Sequence, residues 1–413
     1  MSERTIELIY DPFALTTAQH RAGLAGLLVL VESLRKRKMK PVPEIHTNEN
    51  QTISVRITED SLTVLFNELY DAIWDERKSD SKPQAKTVRN VKIVEEDAAA
   101  DNTNGRKRRK KQFVYETIAP KAKFLEVLGL TAPWIKLWRE AIFGSIRSRD
   151  KQRQDYKDRA QGKPASSVAQ IWAEIERLAK AKGNNKSLSV ELSSSLFIGG
   201  QDTNAEKVSF LGGPDHNLLL HFWPVVMGVY VPEIIDRDGT SKLSSSYVLV
   251  IPDVTDPIGF VQDFLETLAR LGTEMTGYRP KQAVITLPQE GGLEYLHHLL
   301  GLVKAKTDVA NAAGVEVYHL EKRGNNVHML STDRVPVSRR VLEQYEAIRD
   351  KYYSVLFRRK LILNLIRGEP WYREFDRVFA KGSKEWFIGI KAHRFSSDVQ
   401  RRFEVESQAR RSA

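Results

Sequence analysis

Not one of the 413 residues is cysteine. That excludes disulfides, thiolate zinc sites, iron–sulfur clusters and a thiol nucleophile, and it fits a reducing compartment such as the cytoplasm. Long apolar runs are lacking as well. The most apolar early stretch, Ala22 to Val31, is followed by Glu32 and a basic tail. At roughly ten residues it is too short to span a bilayer and suits a buried helix. The opening MSERTIELIYDPF is charged and strand-like, unlike a signal peptide. Internal repeats and heptad arrays are missing too.

Catalytic patterns are equally scarce. Gly199-Gly200 and Gly291-Gly292 are not followed by the Lys-Ser/Thr of a phosphate loop, and the serine triplets at 193–195 and 244–246 have no nucleophile-elbow context. Asp253 and Asp256 fall at a strand exit, where carboxylates often hold metals, but the Pro-rich IPDVTDP makes Asp256 better suited to cap the next helix. His297-His298 have only Glu294 at a metal-ligand spacing. His216 and His221 stand five apart in a strand-like stretch, which points them to opposite faces. The expectation is no enzyme, no metal and no cofactor; a nuclease built on Asp253 and Asp256 is the weakest alternative.

What is present is positive charge, unevenly placed. The net charge is +11, yet residues 106–159 hold 16 Lys/Arg against 6 Asp/Glu and residues 334–413 hold 19 against 10. The remainder carries 29 against 37 and is mildly acidic. Two concentrated basic regions point to a phosphate backbone, with solvated helix faces, a localisation signal and a membrane surface as the duller readings. Candidate phosphate contacts are the run Arg106, Lys107, Arg108, Arg109, Lys110 and Lys111, the helix end bearing Arg147, Arg149, Lys151 and Arg153, and the pair Arg358 and Arg359 between apolar neighbours. Base reading needs side chains that reach base edges. Arg323, Asn325 and Asn326, in an Arg-Gly-Asn-Asn hairpin tip, have that chemistry, although Gly-Asn-Asn is also an ordinary turn. Gln201-Asp202-Thr203-Asn204 is a weaker candidate of the same kind.

The periodicities predict an α+β fold. Strands are expected at 4–10 and 53–58, and helices from Thr16 or Thr17 to Lys38 and over 61–77. Residues 79–111 read as a mobile loop ending in the basic run, and a helical stretch from about Pro120 to Ala160, broken near Thr131–Pro133, reads as projecting the basic end of its second part, about 134–160, into solvent or a ligand. Residues 187–251 look β-rich. A βαβαβ run follows over 247–320, and then a hairpin across Lys322 to Val327. The expected division is a mixed α/β body over 1–335 and a basic helical region over 336–413.

Two blocks carry a family likeness. YDPFALTTAQHRAGLAGLLVLVESL (Tyr10–Leu34) resembles the N-terminal signature of the Myxan-type large subunit of type I CRISPR–Cas surveillance complexes (Cascade), and LGLTAPWIKLWREAIFGSIR (Leu128–Arg147), with Trp134 and Trp138, is similar to a second block of that family. The resemblance implies a non-enzymatic DNA-binding subunit. It would sit beside the 5′ handle of the guide RNA, among handle-binding, backbone and small subunits. It would recognise the protospacer-adjacent motif in double-stranded target DNA and help open it, with a C-terminal bundle resembling the small subunit along the displaced strand. Relatives recruit either a transposon targeting protein or a helicase–nuclease. The region after residue 336 is short for a complete small-subunit bundle, and the zinc motif of some related large subunits is ruled out by the missing cysteines. Gln19-His20 is expected to hold helix to strand. The alternative is a stand-alone basic DNA-binding protein.

Overall fold

The computed structural model describes residues 4–48, 51–83, 88–97, 109–193, 195–200, 209–236, 240–301, 311–324, 326–387 and 389–412. Alternation in β1 (Ile6–Tyr10) buries Ile6, Leu8 and Tyr10 and exposes Glu7 and Ile9. The Thr17 hydroxyl accepts from the His20 amide and caps α1 (Ala18–Lys36), whose last turn carries Arg35 and Lys36 at the negative end of the helix dipole. With β2 (Glu44–Thr47) and β3 (Ile53–Ile57), β1 forms an antiparallel sheet of order β1-β3-β2. A reciprocal Thr58–Ser61 capping box starts α2 (Glu59–Leu69).

The helix expected to reach Arg77 stops at Tyr70. From there β4 (Ala72–Ser79) runs antiparallel to β6 (Arg109–Pro120), and β5 (Val88–Asp97) takes the other edge of β6. Helical spacing continues through Ile73, but backbone pairing of Ile73 with Ala119 outweighs it. Much of the stretch expected as a loose loop is therefore ribbon. Its register sets Glu95, Glu96 and Asp97 opposite Lys111, Lys110 and Arg109, an acidic run against a basic one.

After α3 (Lys123–Val127) comes α4 (Ala132–Ala141), where Pro133 suits the first turn. A π-helical turn (Ile142–Ile146) and a 3₁₀ turn (Asp150–Arg153) lead to α5 (Gln154–Ala160) and α6 (Ser167–Gly183). The stretch 187–251, expected to be β-rich, begins with a small ribbon, β7 (Val190–Glu191) with β8 (Leu211–Gly212), and ends in strands of the main sheet, but its middle forms α7 (Pro214–Leu219) and α8 (Trp223–Val226). Pro214 and Pro224 start these two helices, and Trp223 is wholly buried, so a run that looks like strand is packed helix. His216 accordingly lies on α7 and His221 just beyond it.

The main sheet is formed by β9 (Gly228–Ile235), β10 (Ser241–Leu243), β11 (Tyr247–Val254), β15 (Ala312–Arg323) and β16 (Asn326–Pro336), in the order β10-β9-β11-β15-β16 and antiparallel throughout. Between β11 and β15 the chain makes α9 (Pro257–Arg270), the ribbon β12 (Met275–Thr276) with β13 (Arg279–Pro280), β14 (Val284–Ile285), which adds parallel to β9, and α10 (Pro288–Leu300). The expected βαβαβ elements are there, and the antiparallel β11–β15 pairing makes the fold α+β. Both faces of β11 are covered. Gly291 of α10 lies against Val248 of β11, and Gly292 against Val315, Val317 and Val335 of the neighbouring strands, while α1 packs on the other face, where Arg21 reaches Asp253. The C-terminal helices are α11 (Arg339–Ile348), α12 (Val355–Ile366), α13 (Phe375–Lys381) and α14 (Ile390–Ser412).

The two signature blocks have physical roles. A Cβ at Gly23 or Gly26 would collide with the backbone carbonyls of Leu219 and Phe222, so these glycines let α1 lie directly on the α7–α8 segment. Trp134 Nε1 donates to the Gly272 carbonyl at 2.9 Å and Trp138 Nε1 to the Pro224 carbonyl at 2.8 Å, so the paired tryptophans anchor α4 to two separate segments. The Gln19 amide accepts from the Ile198 amide and donates to its carbonyl, at 2.9 and 3.0 Å, and stands 3.4 Å from the Tyr318 hydroxyl on β15. Its main partner is thus the 196–200 segment rather than a strand.

Candidate nucleic-acid interface

The helical stretch 134–160 does not project. Its π-turn ends with the Arg147 amide bonded to the Ile142 carbonyl at 2.7 Å, and the chain then turns back so that Tyr156 packs edge-on against Tyr70 and Phe143. Two of the four cations expected to face a ligand are thereby committed inside. Arg147 is 7% exposed and donates to the Ser195 carbonyl at 2.7 Å and to the Tyr70 hydroxyl at 3.3 Å. Arg153 donates to the carbonyls of Arg147, Phe143 and Ser148, at 2.7, 3.0 and 3.0 Å, and lies over the Phe143 ring. These carbonyls end helical turns and lack helical partners, so Arg153 closes the turn. Burial lowers its pKa, and Arg77 adds to that effect.

The other two cations stay outside. Arg149 and Lys151 are exposed, and Lys151 makes no ion pair among the described residues. The tip of the β15–β16 hairpin comes to this segment. Arg149 Nη2 approaches Asn326 Oδ1 at 3.5 Å, and Lys322 Nζ donates to the Ser148 carbonyl at 3.3 Å. Burial and the nearby charge of Arg153 lower the Lys322 pKa. Two stretches singled out separately in the sequence thus form one patch of Arg149, Lys151, Lys322 and Asn326. Arg323 stands beside it, but Glu321 accepts from its Nε at 2.6 Å and offsets its charge. Asn325 lies outside the described residues. Lys322 and Arg77 escape sequence reasoning; only the position of Lys322 beside the hairpin tip could have flagged it.

The remaining candidates separate. Arg106, Lys107 and Arg108 lie outside the described residues, as do Gln201–Asn204, while Arg109, Lys110 and Lys111 are strand residues of β6 in register with the acidic end of β5. Arg358 faces inward rather than toward a ligand. Its guanidinium pairs with the wholly buried Glu290 of α10; burial opposes the charge, but Glu290 together with Tyr345, Glu294 and Glu233 outweighs it, so the Arg358 pKa is raised. Arg359, next to it on α12, is exposed.

Asp256 caps α9 by accepting from the Ile258 amide at 3.0 Å, and Asp253 is held between Arg21 and Arg334 at 2.6 and 2.5 Å. Among the described residues no group of three or more His, Asp or Glu is placed to hold a metal, and no helix is long and apolar enough to cross a membrane.

The fold is α+β with a helical C-terminal region, and Arg149, Lys151 and Lys322 gather at a hairpin tip. Residues 42–309 match the type I-B CRISPR Cas8b N-terminal domain and residues 312–413 the type I-B CRISPR Cas8b C-terminal domain. The chain belongs to the Cas8b family, the large subunits of type I CRISPR Cascade complexes, whose other subunits are its partners. Such large subunits are generally structural and recognition proteins rather than catalysts. A search of curated proteins found no match.

Proposed function

We propose that this subunit recognises the protospacer-adjacent motif in double-stranded target DNA and helps guide RNA-directed unwinding, using the patch where the β15–β16 tip meets Arg149 and Lys151. The observation that carries this reading is the approach of Arg149 to Asn326 across 177 residues of sequence, which puts a phosphate-type cation beside an amide able to read a base edge. The exposed Arg359 and the basic run Arg106–Lys111 serve as sequence-independent phosphate contacts. Division of the chain into a body over 1–335 and a helical region over 336–413 is part of the same reading. So are contacts with the guide RNA handle, the displaced strand, and the handle-binding, backbone and small subunits. The Myxan-type assignment and recruitment of a downstream effector, a transposon targeting protein or a helicase–nuclease, rest on the signature blocks alone.

The test is duplex binding by the reconstituted, guide-loaded complex carrying Arg149→Glu and Lys322→Glu together. Each lost phosphate contact flattens the plot of log affinity against log salt by about 0.9. An unchanged affinity and an unchanged salt slope would remove the patch from the interface.

A further inference from the structure

A cavity of about 410 Å³ opens between the Arg147–Gln154 segment, the first turns of α6, and α7 with His221 just beyond it. That volume lies within the roughly 300–1,000 Å³ of sites for small ligands. Its wall is mostly polar. Gln152, Gln154, Gln170 and Asn217 supply amides that both donate and accept. Its ionised groups are Arg147 and Lys151 against Asp155, Glu174 and Glu191, so the balance does not draw an anion inside. Burial, with the charge of Arg147, lowers the His221 pKa to about 3, and its Nδ1 shares a 2.7 Å hydrogen bond with the Tyr70 hydroxyl. A neutral ligand with donors and acceptors around its edge matches this lining.

One group is left waiting. Lys151, at the rim, has no ion pair among the described residues, and Arg149 stands two residues away on the outer surface. The floor is fixed, because Arg147 is held by the Ser195 carbonyl and by Tyr70.

We propose that this cavity receives one unstacked nucleobase of the nucleic acid bound at the neighbouring patch, with the flanking phosphates held outside by Lys151 and Arg149. The proposal rests on the nucleic-acid reading above. A base is flat and neutral and carries donors and acceptors on its edges, and taking one out of the stack is easiest in single-stranded segments. The amide edges of Asn217 and of Gln152, whose Oε1 already accepts from the Arg149 amide, would meet that edge.

The experiment is site-specific photocross-linking in the assembled complex with the full chain. A thio-substituted pyrimidine is moved one position at a time through the guide RNA in one arm and through each DNA strand in two others. Cross-linked peptides are then mapped by mass spectrometry. One position is expected to cross-link to the peptides bearing Gln152 or Ser167, and the arm in which it appears names the strand. Filling the cavity with Ser167→Phe should cut that yield about tenfold, the scale of one base contact. The wild-type map decides the matter even if this variant fails to fold. If no position reaches those peptides while Arg149→Glu weakens binding, the patch stands and the base pocket is overturned. If Arg149→Glu leaves binding unchanged, the nucleic-acid reading fails and the pocket falls with it.

Discussion

The Tyr345 hydroxyl of α11 donates to Glu294 of α10 at 2.6 Å and stands 3.1 Å from Glu290 one turn away. Arg349 Nε donates to the same Glu294 oxygen at 2.6 Å, Arg358 pairs with Glu290, and the Thr286 amide and hydroxyl satisfy the other Glu290 oxygen at 2.5 and 2.7 Å. Two buried carboxylates on α10 thus tie down α11 and α12. Removing one partner strands a buried charge, so Arg358→Ala should cost about 3–5 kcal/mol, whereas Arg359→Ala, one residue on and exposed, should stay within about 0.5 kcal/mol. Denaturant unfolding of the isolated chain checks this; equal effects would contradict the inward role of Arg358.

The signature glycines give a sharper prediction. Gly23→Ala and Gly26→Ala each force a methyl group into a backbone carbonyl, of Leu219 and Phe222 respectively, which cannot move as a flexible side chain could. Each should destabilise by at least ~2 kcal/mol, the scale of overpacking in a closed core. Gly183→Ala, whose added Cβ meets nothing, should not destabilise. A fully soluble Gly26→Ala protein with unchanged unfolding would show that α1 does not rest on this segment.

Acid sensitivity follows from two histidines. Burial, with the charge of Arg147, lowers the His221 pKa to about 3, and burial, with His216 and Arg21, lowers that of His20 to about 4. Below the ordinary value of 6.5 the unfolded chain takes up protons that the folded chain refuses, so stability is full above pH 6.5 and falls as pH drops toward 4. The slope is about 1.4 kcal/mol per pH unit for each histidine. His221→Phe should flatten this limb at a fixed cost in the Tyr70 hydrogen bond. Unfolding curves of equal slope for both proteins between pH 4 and 6.5 would count against a neutral buried His221.

For recognition, Asn326→Ala should relax flank preference, since a good base contact is worth about 1–3 kcal/mol of discrimination. The same holds for Asn325→Ala and Arg323→Ala. Neutralising Arg106–Lys111 should instead weaken binding to all sequences alike. A randomised-flank selection separates the two outcomes; unchanged preference in all three single variants would place the reader elsewhere.

Much of the fold could be read because its cues are local. The alternation of β1, the Thr17 cap and the βαβαβ rhythm after Tyr247 all lie within a few residues of the elements they start. What escaped is long-range. Nothing near Ile73 shows that Ala119 will pair with it, and nothing near Arg358 announces Glu290, 68 residues earlier. An arginine in a charged stretch reads as an outward cation, yet Arg153 folds in onto carbonyls at the end of the π-turn, and Arg147 folds in onto the Ser195 carbonyl, 48 residues later. The acidic end of β5 and the basic run of β6 look like a loose tail until the register sets one against the other.

The most direct measurement is target binding by the guide-loaded complex on duplexes with a randomised flanking motif, assembled with this chain, without it, and with Arg149→Glu/Asn326→Ala in its place. The account predicts that the wild-type chain selects a defined flank, that omission abolishes the selection, and that the double variant loses it while remaining assembled. Identical flank selection with and without the chain would contradict it.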